Sequence, residues 1–126
     1  MYSHNMVGSN DIDRSKKFYD ATFKAMGGRE GMKDDKGRLI YMLNDGMFLV
    51  TPPIDGKPAT AGNGCTVGFA MESPEQANAW HEAGVANGGT AIEDAPGVRS
   101  ASFGDLYLAY LRDPDGNKLC ALHRMG

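Results

Sequence analysis

Three histidines and two cysteines are the imidazoles and thiols available to this chain of 126 residues. His4 stands at the head of the first strand-like run, where a neutral imidazole suits a metal ligand, a general base or a pocket hydrogen-bonding group. Its plain alternative is a strand histidine satisfied by a neighbour. Cys120 alternates with Lys118 and Leu122, so the three share one strand face. If that face is concave, the thiol enters a cleft near His4, and a Cys-His nucleophile is conceivable. Activation would need a lowered thiol pKa, for which Lys118 and His4 are the nearby positive candidates; the plain reading is a buried, inert thiol. His4 and Cys120 are therefore the candidates for catalysis, in a role the residues do not fix.

Arg99, Arg112, Lys118 and Tyr107 sit near predicted strand ends. A cleft mouth there recognises an anionic substrate through charge-assisted hydrogen bonds, although most such charges are simply solvated. Cys65, just before a strand, reads as packing, and His81 and His123 as surface or packing residues. Asp113 and Asp115 belong to a turn, where carboxylates cap backbone amides rather than serve as catalytic acids.

Composition narrows the field. The chain is 41% hydrophobic and 23% charged, which suits one domain with a real core. Its net charge is -3, with no Lys/Arg cluster able to track phosphates, so nucleic acid is not an expected partner. Apolar runs such as Gly46-Met47-Phe48-Leu49-Val50 are far too short to span a membrane. Two cysteines are too few for a disulfide framework, and Met1 to Asn5 has neither the basic region nor the apolar run of a signal. The expectation is a cytoplasmic protein with free thiols.

Two similar sets of elements must position these residues. An apolar segment, Tyr2 to Val7, leads to a helix near Asp11-Met26 with Asn10 or Asp11 as its cap and Ile12, Phe18, Tyr19, Phe23 and Met26 on one stripe. Gly27-Gly28 ends it. Later, Thr66 to Met71 reads as a strand, Ser73-Pro74-Glu75-Gln76 as a capping box, and Pro74-Asn87 as a helix stopped by Gly88-Gly89. Three strand candidates follow each helix: Gly31 to Asp34, Arg38 to Asn44 and Gly46 to Thr51, then Thr90 to Glu93, Leu106 to Arg112 and Lys118 to Arg124. Asn44-Asp45-Gly46 and Asp113-Pro114-Asp115-Gly116-Asn117 mark the hairpins.

Ser15 aligns with Ala77 and Phe18 with Trp80 at one constant offset, which sets His4 opposite Thr66 and makes the chain a repeat in order and punctuation. Modules are expected at about residues 1–52 and 62–126, with 53–61 as linker in a single domain. Hairpins after each helix exclude a parallel sheet, so the sheets should be mixed, with helices on one face and a cleft on the other. On that cleft face we expect Phe48 and Met6 rather than Met47. Thr66, Gly68 and Ala70 should keep the cleft open while Val67 and Phe69 pack under the helices.

His4 before a strand-helix turn, Phe18-Tyr19-Asp20 in the helix, Gly62-Asn63-Gly64 before the fifth strand and Arg112-Asp113-Pro114-Asp115-Gly116-Asn117 near the end together resemble the vicinal oxygen chelate superfamily. This is the glyoxalase, bleomycin-resistance and ring-cleaving dioxygenase group. The resemblance covers essentially the whole chain. It implies an α+β fold of two βαβββ modules forming a cupped mixed sheet, commonly a homodimer. In the enzymes of the group it also implies a divalent metal held from the first, fourth, fifth and eighth strands.

The four corresponding positions are His4, Phe48, Thr66 and Cys120, where a glyoxalase-like member shows His or Gln, Glu, His or Glu, and Glu. A phenyl ring cannot ligate, a threonine hydroxyl is a poor neutral ligand, and a thiolate site is not completed by one imidazole. The expectation is a cleft without metal or cofactor that takes a small organic molecule among His4, Met6, Phe48, Thr66, Arg99, Tyr107 and Cys120. That reading is a bleomycin-resistance-like binding or sequestering protein. The alternative is a metal-dependent glyoxalase I-like lyase or thiol transferase. A dioxygenase is disfavoured for want of two histidines and a carboxylate.

Overall fold

The computed structural model describes residues 1–126. Its first half runs β1 (Asn5–Gly8), α1 (Ile12–Ala25), β2 (Met32–Lys33), β3 (Leu39–Leu43) and β4 (Gly46–Thr51). The second runs β5 (Val67–Ala70), α2 (Pro74–Ala86), β6 (Thr90–Ala91), β7 (Gly97–Ala101), β8 (Gly104–Arg112) and β9 (Lys118–Arg124). A four-stranded sheet has the order β1-β4-β3-β2, and a five-stranded sheet the order β5-β9-β8-β6 with β7 also on β8. In each, the first strand pairs parallel with the last and the other pairs are antiparallel. The fold is α+β, with mixed sheets of the cupped type.

Local chemistry sets the element ends. Asp11 accepts the Arg14 N–H at the start of α1. Ser73 accepts the Gln76 N–H at the start of α2, and the Gln76 side chain reaches back to the Glu72 N–H at 2.8 Å. Asn44 and Asp45 both adopt positive φ, 48° and 65°, which gives the two-residue β3–β4 turn the twist its strands require. One expectation fails: four strands follow α2, not three. The extra one, β7, falls in a stretch with a single large apolar residue, Val98, and is recruited by pairing along β8.

The α1 helix lies on the four-stranded sheet, α2 on the five-stranded sheet, and the helices pack on each other. Phe18, Tyr19, Leu39, Val50, Trp80, Leu111 and Leu119 are fully buried between them. Aromatic rings link the halves. Phe23 stacks on Tyr41 at 4.5 Å between centroids, and Phe69 of the second half meets Phe48 edge-on at 5.3 Å and Phe23 at 5.6 Å.

This packing corrects the strand phase. Phe48 contacts Tyr19 and Phe23 of α1 and so points under the helix. Met6 pairs with Leu49, which also faces Ile40, while Met42 pairs with Met47; these five occupy the sheet face away from α1. Phe48 and Met6 thus lie on opposite faces. On that outer face Met6, Met32 and Met42 are 41%, 64% and 63% exposed, an apolar surface without a partner inside the chain.

The Asp113–Asn117 turn ties the halves together. Asp113 is buried and accepts the Asp115 and Asn117 N–H groups on one oxygen, and the Tyr19 hydroxyl and Asn117 amide on the other. Asp115 accepts from the Asn10 N–H and from the Arg14 guanidinium at 2.8 Å. The turn carboxylates cap amides, as expected, and also reach across to α1.

Candidate functional site

A cavity of about 280 Å³ opens between the residues leading into β1 and the free edge of β5, and ten of its sixteen lining residues are hydrophobic. Phe23, Tyr41, Phe48 and Phe69 form its floor, continuous with the core. Val67, Gly68 and Ala70 of β5 form one wall, and Ser3, His4 and Asn5 part of the rim. A Cβ built on Gly68 would meet nothing within 4 Å, so the missing side chain leaves space open here.

Polar chemistry at the cavity is sparse. His4 is exposed and shares its Nδ1 with Ser3 Oγ at 2.8 Å, which leaves the other ring nitrogen to a ligand or solvent. Tyr41 donates its hydroxyl to Asp20 at 2.7 Å, and burial, then Asp20, push its pKa far above the usual phenol range. Burial pulls the Asp20 carboxyl upward, but hydrogen bonds from Lys16, the Gly31 N–H and Tyr41 outweigh it and hold the group below its ordinary value. Asp20 and Tyr41 are thus locked to each other, while His4, with Asn5 and Asn44 beside it in the lining, can offer hydrogen bonds to a bound molecule.

The other candidates scatter. Thr66 is exposed before β5 and lines a separate polar pocket with Arg112 and Lys118. Cys120 is buried on the helix-distal face of β9 beside its cross-strand partner Tyr110, and burial pushes its thiol pKa up, the reverse of what a Cys-His nucleophile needs. Tyr107 was expected at the cleft mouth; it faces α2 and donates to Asn78 at 2.7 Å. Arg99, expected beside it, spends its guanidinium on the carbonyls of Asp94, Ala95 and Gly97, closing its own loop. Cys65, expected to pack, is exposed.

The donor set does not fit the metal of the resembled enzymes. No three His, Cys, Asp or Glu side chains come together in a metal-binding cluster. On β4 the residues sharing the outer face with Met6 are Met47 and Leu49, so correcting the phase replaces phenylalanine with a thioether or an isobutyl group and supplies no hard ligand. Sequence reading missed Phe23, Met26 and Tyr41 as cavity residues, because an apolar helix stripe and an apolar strand give the same signal whether they end in core or in a cavity wall.

The family model of the Glyoxalase/Bleomycin resistance protein/Dioxygenase superfamily matches residues 2–121. The chain belongs to that superfamily. Among solved structures, a glyoxalase/bleomycin resistance protein from Albidiferax ferrireducens T118 is 57% identical, with a TM-score of 0.95 over 98% of this chain and 99% of that one. A glyoxalase/bleomycin resistance protein/dioxygenase family enzyme from Burkholderia phytofirmans PsJN superposes with a TM-score of 0.74 at 17% identity, covering 98% of each chain. The hypothetical protein SA1046 from S. aureus reaches 0.72 at 15% identity over 98% of this chain and 93% of its own. The last two share the superfamily's fold. No curated protein sequence matches the chain.

Proposed function

We propose that the chain binds a small, partly apolar organic molecule in the cavity beside β5 and acts by holding or sequestering it, as a homodimer without a family-type metal centre. The observation that carries this reading is the cavity itself: about 280 Å³, floored by four aromatic rings, with the His4 imidazole at its rim. Such a mixture of apolar wall and few directed polar groups is usual for small-molecule sites. Membership of a superfamily that includes bleomycin resistance proteins supports it. The dimer reading rests on the exposed methionine face of the four-stranded sheet and on the free edges of β1 and β5, which a second copy would cover. No helix is long and apolar enough to cross a membrane, and both cysteines are free, which suits a reducing compartment such as the cytoplasm.

Val67→Trp supplies the test. Val67 lines the cavity and shares the strand face of Phe69, and it is only half-buried at the start of β5, so the larger side chain should fold in place and fill the cavity. Calorimetric titration with 2-naphthol should give saturable binding to the native chain and none to the variant. Equal affinity in both would remove the cavity from consideration. Elemental analysis runs beside it: about one metal per chain, lost on His4→Ala, would replace binding by the metal-dependent lyase or transferase reading.

A further inference from the structure

A second pocket, of about 440 Å³, lies where the Gly62–Thr66 segment faces the β8–β9 hairpin, and it shares no lining residue with the aromatic cavity. Only two of its eight lining residues are hydrophobic. Arg112 and Lys118 both line it, and they are directly opposite partners in the β8–β9 register. Like charges in that position repel at cross-strand distance and weaken the pair. Glu93 compensates Lys118, whose ammonium also lies 4.9 Å from the centre of the Tyr110 ring. Arg112 has no carboxylate partner. The one protein bond of its guanidinium is from Nη1 to the Gly116 carbonyl at 2.8 Å, which leaves most of the fork unused.

Across the pocket, the Cys65 N–H closes a turn on the Gly62 carbonyl, and Gly64 takes φ +95°, a conformation that glycine adopts freely. The Asn63 and Gly64 N–H groups have no acceptor in the protein. Asp113 and Asp115, the carboxylates nearest in sequence, are turned the other way onto Tyr19 and Arg14. Two opposed cations, one of them without a carboxylate partner, therefore line one polar space together with a turn that holds free amide donors, and no acidic side chain lines it.

We propose that this pocket binds a small oxyanion, a phosphate or carboxylate group of a soluble metabolite, between Arg112 and Lys118 and the amides of the Gly62–Cys65 turn. A bridging anion would convert the repulsive Arg112–Lys118 pair into two charge-assisted contacts, and the guanidinium fork matches a planar or tetrahedral oxyanion in two-point contact.

Titration of the full chain at fixed ionic strength with inorganic phosphate, and separately with succinate, tests the site. The amide resonances of Asn63 and Gly64 should shift saturably with at least one of the two, and which one distinguishes a phosphate from a carboxylate ligand. Cys65 gives an independent readout, since it is exposed while Cys120 is buried. Its reaction with the dianionic disulfide 5,5′-dithiobis(2-nitrobenzoate) should exceed that with neutral 4,4′-dithiodipyridine once each rate is divided by that for a free thiol, and the effective anion should slow the former selectively. Arg112→Gln should weaken anion binding at least about tenfold and erase the reagent preference, about 1.4 kcal/mol or more of binding free energy. Lys118→Gln should weaken it less, because Glu93 already shares that charge. Because Arg112 is exposed and faces a like charge, its variant should be no less stable than the native chain without anion. Failure of both anions to shift the turn amides, or equal binding by Arg112→Gln, would overturn the proposal.

Discussion

The Tyr19 hydroxyl on α1 donates to Oδ2 of Asp113, in the turn between β8 and β9, at 2.5 Å, and both residues are buried. One bond thus joins the first helix to the last hairpin across 94 positions of sequence. It accounts for the carboxylate at the start of the Asp-Pro-Asp-Gly-Asn turn in terms of assembly rather than catalysis.

Tyr19→Phe should lower unfolding stability by about 1–3 kcal/mol, the range for leaving a buried acceptor with one donor fewer. Asp113→Ala should cost more, because it also orphans the Asp115 and Asn117 N–H groups. Urea midpoints of the two variants against the native chain rank them. The reverse order would show that the turn holds itself without the carboxylate.

Stability should fall above about pH 10. Burial first, then Asp113, raises the Tyr19 pKa well above the ordinary 10.0, and burial and Asp20 do the same to Tyr41. Below that ordinary value both folded and unfolded chains keep these protons and the stabilisation is fully present. Above it the unfolded chain ionises while the folded one resists, so stability is lost as pH rises, at up to about 1.4 kcal/mol per pH unit for each group. Tyr41→Phe should make the loss shallower in denaturation curves between about pH 8 and about pH 11. An unchanged slope would show that Tyr41 ionises alike in both states.

Much of this architecture is legible in the sequence because it is written locally. Asp11, the Ser73–Gln76 capping box and the Gly-Gly pairs fix the helices, and Asn44-Asp45 fixes a hairpin. Strand phase is not legible where both faces are apolar. Met47-Phe48-Leu49-Val50 and Leu106-Tyr107-Leu108-Ala109 carry no period of two, so their orientation is decided by distant partners, Phe23 of α1 and Asn78 of α2. That is why Phe48 was expected on the face away from the helices, although it does line the cavity, and why Tyr107 was expected at the cleft mouth. The strand β7 was illegible for another reason, since only Val98 among its five residues is large and apolar.

Gly84→Ala should destabilise the protein although alanine is the better helix former by about 1 kcal/mol. A methyl at this position would stand 2.3 Å from Leu111 Cδ1 and 3.2 Å from Phe18 Cε1, and both neighbours are fully buried. Overpacking of this kind costs about 1–3 kcal/mol, which outweighs the propensity gain. Thermal melting decides the sign, and a raised midpoint would mean that Leu111 has an empty rotamer to move into.

Met42→Lys tests the proposed homodimer. Met42 is 63% exposed within one chain, so the substitution should leave the fold of that chain unaffected. If a second copy covers this face, light scattering should give about twice the 13.5 kDa chain mass for the native protein and a shift toward one chain for the variant. A native protein that scatters as one chain at micromolar concentration would defeat the dimer.

The segment between the sheets connects two halves that already hold each other. Ile54 is fully exposed, Ala59 is pinned by two hydrogen bonds to the Asn10 side chain, and the core draws on both halves. A protease cut near Ile54 would therefore sever a tether and no packing contact. The two fragments would form a split protein, reassociating through Phe69 against Phe48 and Tyr19 against Asp113, their union now governed by concentration instead of chain connectivity.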